Sequence, residues 1–204
     1  MDRSYDIIIS KFRVVKHVDN IDKKINDIKE SEDIFLKSQK INIEKEELDR
    51  ITVLYERNKD NEDIIENYVH VLYNFSLRSP IEDCLDYKNK IEQIYKKNKL
   101  KNVAICLGRL ILNISHEMYL LKELNESNIL FLINESEIIE NLYNENNCDE
   151  LAEPLTKIWL LISLTPQYKK LYEEKIINLC YKNNYTYAKE AMAKIIFYSE
   201  KIED

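Results

Sequence analysis

The side chains that could do chemistry are few and widely spaced. The histidines are His17, His70 and His116. Nucleophilic catalysis needs a base placed beside the nucleophile, and none of the three sits in such a pattern. His116-Glu117 does not continue as H-E-x-x-H, because position 120 is Leu120. The di-metal pattern Glu-x-x-His is also missing, since His70 follows Asn67 and His116 follows Asn113. Cys84, Cys106, Cys148 and Cys180 contain no C-x-x-C pair, and apolar residues flank them, as in Ile105-Cys106-Leu107 and Leu179-Cys180-Tyr181. They read as reduced thiols buried as small hydrophobes, which suits a reducing compartment. No metal or other cofactor is expected, and the chain is read as non-enzymatic.

Acids and bases form more informative groups. Glu82-Asp83-Cys84-Leu85-Asp86 resembles the Mg²⁺-binding acidic motif of isoprenoid synthases. No second acidic motif accompanies it, and acids in a first turn favour the helix dipole. From Lys88 to Arg109 the chain carries Lys88, Lys90, Lys96, Lys97, Lys99, Lys101 and Arg109 against Glu92 alone, with Tyr87 and Tyr95 between them. Lys96, Lys97, Lys99 and Lys101 are the candidate phosphate-binding residues of a nucleic-acid reading, with tyrosines to stack on bases. From Glu135 to Glu153 run Glu135, Glu137, Glu140, Glu145, Asp149, Glu150 and Glu153 with no base among them. A fixed negative patch steers a basic partner. Tyr181, Tyr185 and Tyr187 add contact area with polar tips near the C-terminal end. Glu140, Glu145, Asp149, Glu150 and these three tyrosines are therefore the candidate partner-binding residues. The acidic stretch is expected to govern binding more than the lysines.

Composition narrows the elements that can carry these residues. Of 204 residues one is glycine, Gly108, and three are proline. Without glycines there is no P-loop, dinucleotide fingerprint or nucleophile elbow of the usual kind, and folds built on tight β-hairpins are disfavoured. The net charge of −7 opposes general nucleic-acid binding, which rests on phosphate neutralisation. The opening Met1-Asp2-Arg3-Ser4-Tyr5-Asp6 has acids where a signal peptide needs base, and Ile7-Ile8-Ile9 is short for its apolar core. The longest uncharged stretch, Ile158 to Tyr168, falls well below the ~20 residues of a membrane span. A cytoplasmic chain without membrane contact is expected.

The apolar spacing is helical almost throughout. Ile21, Ile25, Ile28 and Phe35 predict one face. Ile43, Leu48, Ile51, Leu54 and Tyr55 predict the next, and Ile65, Tyr68, Val69, Leu72 and Phe75 a third. Ser79-Pro80-Ile81-Glu82 reads as a helix start with a Ser79 cap, and Thr165-Pro166 as a second one. Residues 101–115 and 151–164 are apolar nearly all round, which predicts central helices with Leu110 and Leu161 in the core. Leu171, Tyr172, Ile176, Leu179 and Cys180 face inward on the next helix, and Thr186 caps a last one. Residues 118–146 read as one or two helices, interrupted near Asn125–Asn128 and restarted near Asn134–Ser136. Residues 5–18 are rich in β-branched types, but no second strand exists to pair with them.

Asn74-Phe75-Ser76, Asn113-Ile114-Ser115 and Ile162-Ser163 each close a strongly apolar helix, and a more polar helix follows each. An inner apolar helix alternating with an outer amphipathic one, every ~40 residues, marks a helical-hairpin repeat. Over roughly residues 40–200 the chain resembles the armadillo, HEAT and tetratricopeptide superfamily of helical repeats, although Trp159 lacks the Leu-Gly of the tetratricopeptide pattern. The resemblance implies a non-catalytic binding scaffold. The expected fold is all-α: antiparallel helical hairpins stacked as a short α-solenoid, or a compact multi-helix bundle. One helical domain over 1–204 is expected, with a less regular N-terminal segment over 1–40. The expected function is a protein–protein interaction module, an adaptor or small inhibitor whose partner presents a basic surface. A helical-repeat nucleic-acid binder using Lys88–Arg109 is the alternative, and a helical enzyme is the remote one.

Overall fold

A computed structural model of the chain describes the backbone of residues 3–39, 44–121 and 126–183, with side chains over 21–39, 44–119 and 126–181. Among the described residues the fold is all-α, with eight helices and no strand. Backbone contacts divide the chain into two compact units, Met1–Phe75 and Ser76–Asp204.

In the first unit, α1 (Arg3–Ser38) runs unbroken, and residues 5–18 fall inside it. α2 (Lys45–Arg57) starts where the Glu44 N–H donates to Glu47 Oε2 at 3.4 Å. α3 (Glu62–Ser76) starts where Asn61 Oδ1 accepts the Ile64 N–H at 3.1 Å, a side-chain N-cap. The face of α1 that packs is not the apolar one. Ile21 and Ile25 are 46% and 44% exposed, while Asp27, Ser31, Ile34 and Ser38 are buried. The polar face is buried because each of its polar groups finds a partner. Asp27 accepts from Arg57 at 3.1 Å and from Asn58 at 2.8 Å, both at the end of α2. Asn67 on α3 donates to Ser31 at 3.0 Å, and Asn74 to Ser38 at 2.8 Å. Each serine in turn donates to a carbonyl of its own helix, Ile28 or Phe35. The two rungs lie one heptad apart on both helices, so α1 and α3 run parallel in a fixed register.

The second unit holds α4 (Ile81–Asn98), α5 (Lys101–Leu121), α6 (Glu126–Asn146), α7 (Asp149–Ser163) and α8 (Lys169–Asn183). α5 packs on α7. α4 lies on α5, α6 on both α5 and α7, and α8 on α7. The two helices expected to be central thus form an inner layer, and the amphipathic ones form an outer layer. Gly108 sits at the inner crossing, where a Cβ would come within 2.7 Å of Leu151 Cδ2. Two hairpin turns repeat one device. Lys99 (φ 56°) and Asn147 (φ 44°) enter the left-handed region and donate back to Tyr95 and Tyr143. Leu100 and Cys148 then open α5 and α7. This is the αL helix stop, made here without glycine.

Several sequence expectations are corrected. Pro80, not Ser79, occupies the N-cap of α4, with no side-chain cap; Ser79 instead hydrogen-bonds the Tyr87 hydroxyl. α6 has no break at Asn134–Ser136. Glu135 and Ser136 are buried on the continuous helix and Asn134 is exposed on it, with Ser136 bonding back to the Ile133 carbonyl at 2.8 Å. Thr165-Pro166 begins a turn closed by Tyr168 N–H to Thr165 O, and α8 starts later, at Lys169. Leu171 is exposed. Leu110 is fully buried, whereas Leu161 is only half-buried. The helix expected after Thr186 lies outside the described residues.

Candidate functional site

The acidic and basic stretches, which the sequence offers as two separate surfaces, meet at three ion pairs, Lys88–Glu135, Lys99–Glu145 and Lys101–Glu150. α4 and α6 lie side by side in the outer layer. Lys88 on α4 is ion-paired with Glu135 on α6, and both are buried. Burial raises the Glu135 pKa above the ordinary carboxylate value, against the opposing pull of Lys88. At the other end of the same two helices, Glu145 accepts from Tyr95 Oη at 2.6 Å and from Lys99 Nζ at 2.9 Å. These two donors hold the Glu145 carboxyl below its usual range. Asn146 donates to Tyr95 Oη at 2.9 Å and closes the cluster.

The remaining candidates are placed as follows. Lys101 at the start of α5 lies 3.9 Å from Glu150 in the first turn of α7. Glu140 on α6 pairs with Lys175 of α8 at 2.7 Å. Lys96 pairs with Glu92 one turn away at 2.6 Å. Lys97 and Asp149 are exposed at helix ends. Tyr181 is 79% exposed on α8, and Tyr185 and Tyr187 lie outside the described residues. The structure therefore brings Glu140, Glu145 and Glu150 together with lysines. These pairs tie the α4/α5 hairpin to α6/α7 and α6 to α8.

Among the described residues an apolar opening lies on the inner layer. α5 and α7 are apolar all round, yet Leu112, Leu160 and Leu161 are only half-covered. Together with Ile81, Leu110 and Ile114 they line a groove of about 520 Å³ beside the start of α4. Sequence reasoning took this all-round apolarity as packing on every side. The same signal, on a two-layer stack, marks an apolar face that the described residues of the second layer leave open.

The groove also contains Cys84, with His116 and Glu117 at its edge. A cysteine near a histidine raises the question of a thiolate nucleophile, which needs a lowered pKa. Here burial pushes the Cys84 thiol up, and Glu117, Asp83 and Glu82 push it the same way. Its Sγ donates to the Ser76 carbonyl at 3.1 Å. Cys84 thus reads as a lining thiol. Of the three carboxylates, Glu117 lines this end of the groove and Glu82 and Asp83 sit in the first turn of α4, while Lys157 at the α7 side is paired with Glu153.

All four cysteines are buried, and no cluster of three metal-ligating side chains occurs among the described residues. No helix among them is long and apolar enough to cross a membrane. No protein-family model matches the chain, and no curated protein or solved structure is significantly similar to it.

Proposed function

We propose that the chain is a non-catalytic docking module that takes an apolar, base-flanked segment of a partner protein into the groove along α5 and α7. The observation that carries this reading is the half-covered apolar face of Leu112, Leu160 and Leu161, with Glu117 lining its Cys84 end and Glu82 and Asp83 in the first turn of α4 beside it. An apolar groove with a polar rim is the usual form of a helix- or peptide-accepting surface. The acidic rim and the net charge of −7 complement a basic flank. The internal pairing of Glu140, Glu145 and Glu150 supports placing the contact at the groove and not on the 135–153 stretch. The matching occupation of Lys99, Lys101 and Lys96 by acids weighs against a phosphate-binding surface.

Selection of peptides from a random display library on the full chain tests the reading. The Leu112→Lys/Leu161→Lys variant serves as the counter-target. The expected winners carry apolar residues beside Lys or Arg, and they lose about tenfold or more in affinity for the variant. Winners that are acidic, or that bind the variant equally, overturn it. So does tight, salt-sensitive binding of oligonucleotides that is lost when Lys96, Lys97, Lys99 and Lys101 become Gln. Uptake of a fatty-acyl probe in place of any peptide would overturn the protein partner in favour of a small apolar ligand.

A further inference from the structure

We propose that the gap between α6 and α8 is a binding site for a small zwitterion, a free α-amino acid with an aliphatic side chain. The inference is independent of the groove, which uses other residues of α7.

α6 and α8 both pack on α7, and their backbones do not pack on each other. The space between them is a cavity of about 210 Å³. Leu155 and Trp159, one turn apart on α7, line it together with Leu179 of α8. Glu140 of α6 and Lys175 of α8 line it from its two sides, and their ion pair at 2.7 Å spans the gap. Aromatic rings hold Lys175 a second time. Its ammonium lies 5.1 Å from the centre of the Trp159 ring and 5.6 Å from that of Tyr172, within the ~6 Å reach of a cation–π contact. Tyr172 is itself buried, with its hydroxyl hydrogen-bonded to Ser136 of α6.

The charges of the lining select the ligand. A simple anion drawn to Lys175 meets the Glu140 carboxylate, and a simple cation drawn to Glu140 meets Lys175. A molecule that carries both charges a few ångströms apart meets each with its opposite. The internal pair need not break to admit it. That pair uses Oε2 of Glu140, which leaves the second carboxylate oxygen to accept from a ligand ammonium. Lys175 has three N–H donors; one serves Glu140, and another reaches a ligand carboxylate. The four charges then alternate in sign, and each is hydrogen-bonded, as charges withdrawn from water must be.

Two further observations point to an organic occupant. Leu155, Leu179 and Trp159 give the cavity an apolar wall beside a few polar groups, the usual make-up of a small-molecule site. Trp159 is 4% exposed, and its indole N–H is buried with no acceptor among the described residues. Buried donors are nearly always paired, and a ligand carboxylate beside Lys175 is the acceptor this one lacks. The volume sets the size. Drug-sized sites run to roughly 300–1,000 Å³, so the smaller cavity fits a single amino acid whose aliphatic side chain lies on the two leucines.

Trp159 is the only tryptophan of the chain, so its fluorescence, excited selectively over tyrosine, reads this cavity directly. Titration of the full chain with L-leucine should give a saturable change with a midpoint below about 10 mM. L-Leucinamide keeps the amine and lacks the carboxylate, and N-acetyl-L-leucine keeps the carboxylate and lacks the charged amine. Each should bind about tenfold or more weaker. The Glu140→Gln/Lys175→Gln variant should show the same loss for leucine while it keeps the native helical circular dichroism. No saturable change with leucine, isoleucine or valine overturns the proposal. So does a response to either blocked compound equal to that of leucine, since the site then reads one charge and not two. A folded double variant that responds like the wild type overturns the placement between α6 and α8. The three compounds are compared on the wild-type chain, so that comparison decides even where the variant does not fold.

Discussion

Lys88 and Glu135 show how much at the residue scale depends on company. Alone, either would be a costly buried charge. Together they join two outer helices, and the second Glu135 oxygen stays without a partner. Lys88→Met should therefore destabilise by about 3–5 kcal/mol, because it strands a buried carboxylate, and Lys88→Met with Glu135→Leu should recover most of the loss. Urea unfolding of the double-mutant cycle measures this. A single change no worse than an exposed ion pair, about 0–1 kcal/mol, would show that the pair is not buried. Gly108 is the other decisive residue. The sequence shows it as the only glycine, and its absence from any phosphate loop is legible there. That it lets α5 approach Leu151 is not, because the neighbour is set by a crossing between helices distant in sequence. Gly108→Val should cost about 1–3 kcal/mol by overpacking, while Gly108→Ala recovers part of its clash through helix propensity.

At the scale of elements, apolar periodicity made α3, α5 and α7 legible, since their buried faces are the apolar ones. It failed for α1, whose buried face is the polar row of Asp27, Ser31 and Ser38. A polar row signals a surface unless its partners are known, and Asn67 and Asn74 lie on another helix. It failed again at Asn134–Ser136, where an exposed Asn134 beside buried Glu135 and Ser136 imitates a helix break. Turn chemistry was hidden because glycine, its usual marker, is missing. Asn147 carries the left-handed turn before α7. Asn147→Ala should lose about 1–2 kcal/mol, and Asn147→Gly nothing, when thermal unfolding is compared. The cluster at the ends of α4 and α6 gives a pH signature. The Glu145 carboxyl is held below its unfolded value by Tyr95 and Lys99. Its contribution is therefore present above the ordinary carboxylate range and disappears as pH falls through the lowered value. The difference in melting temperature between wild type and Glu145→Gln should be positive at neutral pH and vanish in acid. A constant difference across that range would mean that the carboxylate is not tied in the folded state.

For the whole molecule, composition and spacing suffice for an all-α class and for the two charge stretches. They do not show that the stretches face each other, because pairing Glu135 with Lys88 or Glu145 with Lys99 depends on which outer helices are neighbours. Among the described residues of the second unit, the apolar groove of α5 and α7 is open beside these pairs. The most direct test is the affinity of a groove-selected peptide for two variants of the full chain, read by titration calorimetry. One is Leu112→Lys/Leu161→Lys. The other changes Glu140 and Glu145 to Gln, Asp149 to Asn and Glu150 to Gln. The account predicts a loss of about tenfold or more, over 1.4 kcal/mol, for the groove variant, and near-native affinity for the acidic one. The reverse order, with the acidic variant crippled and the groove variant unaffected, would contradict it.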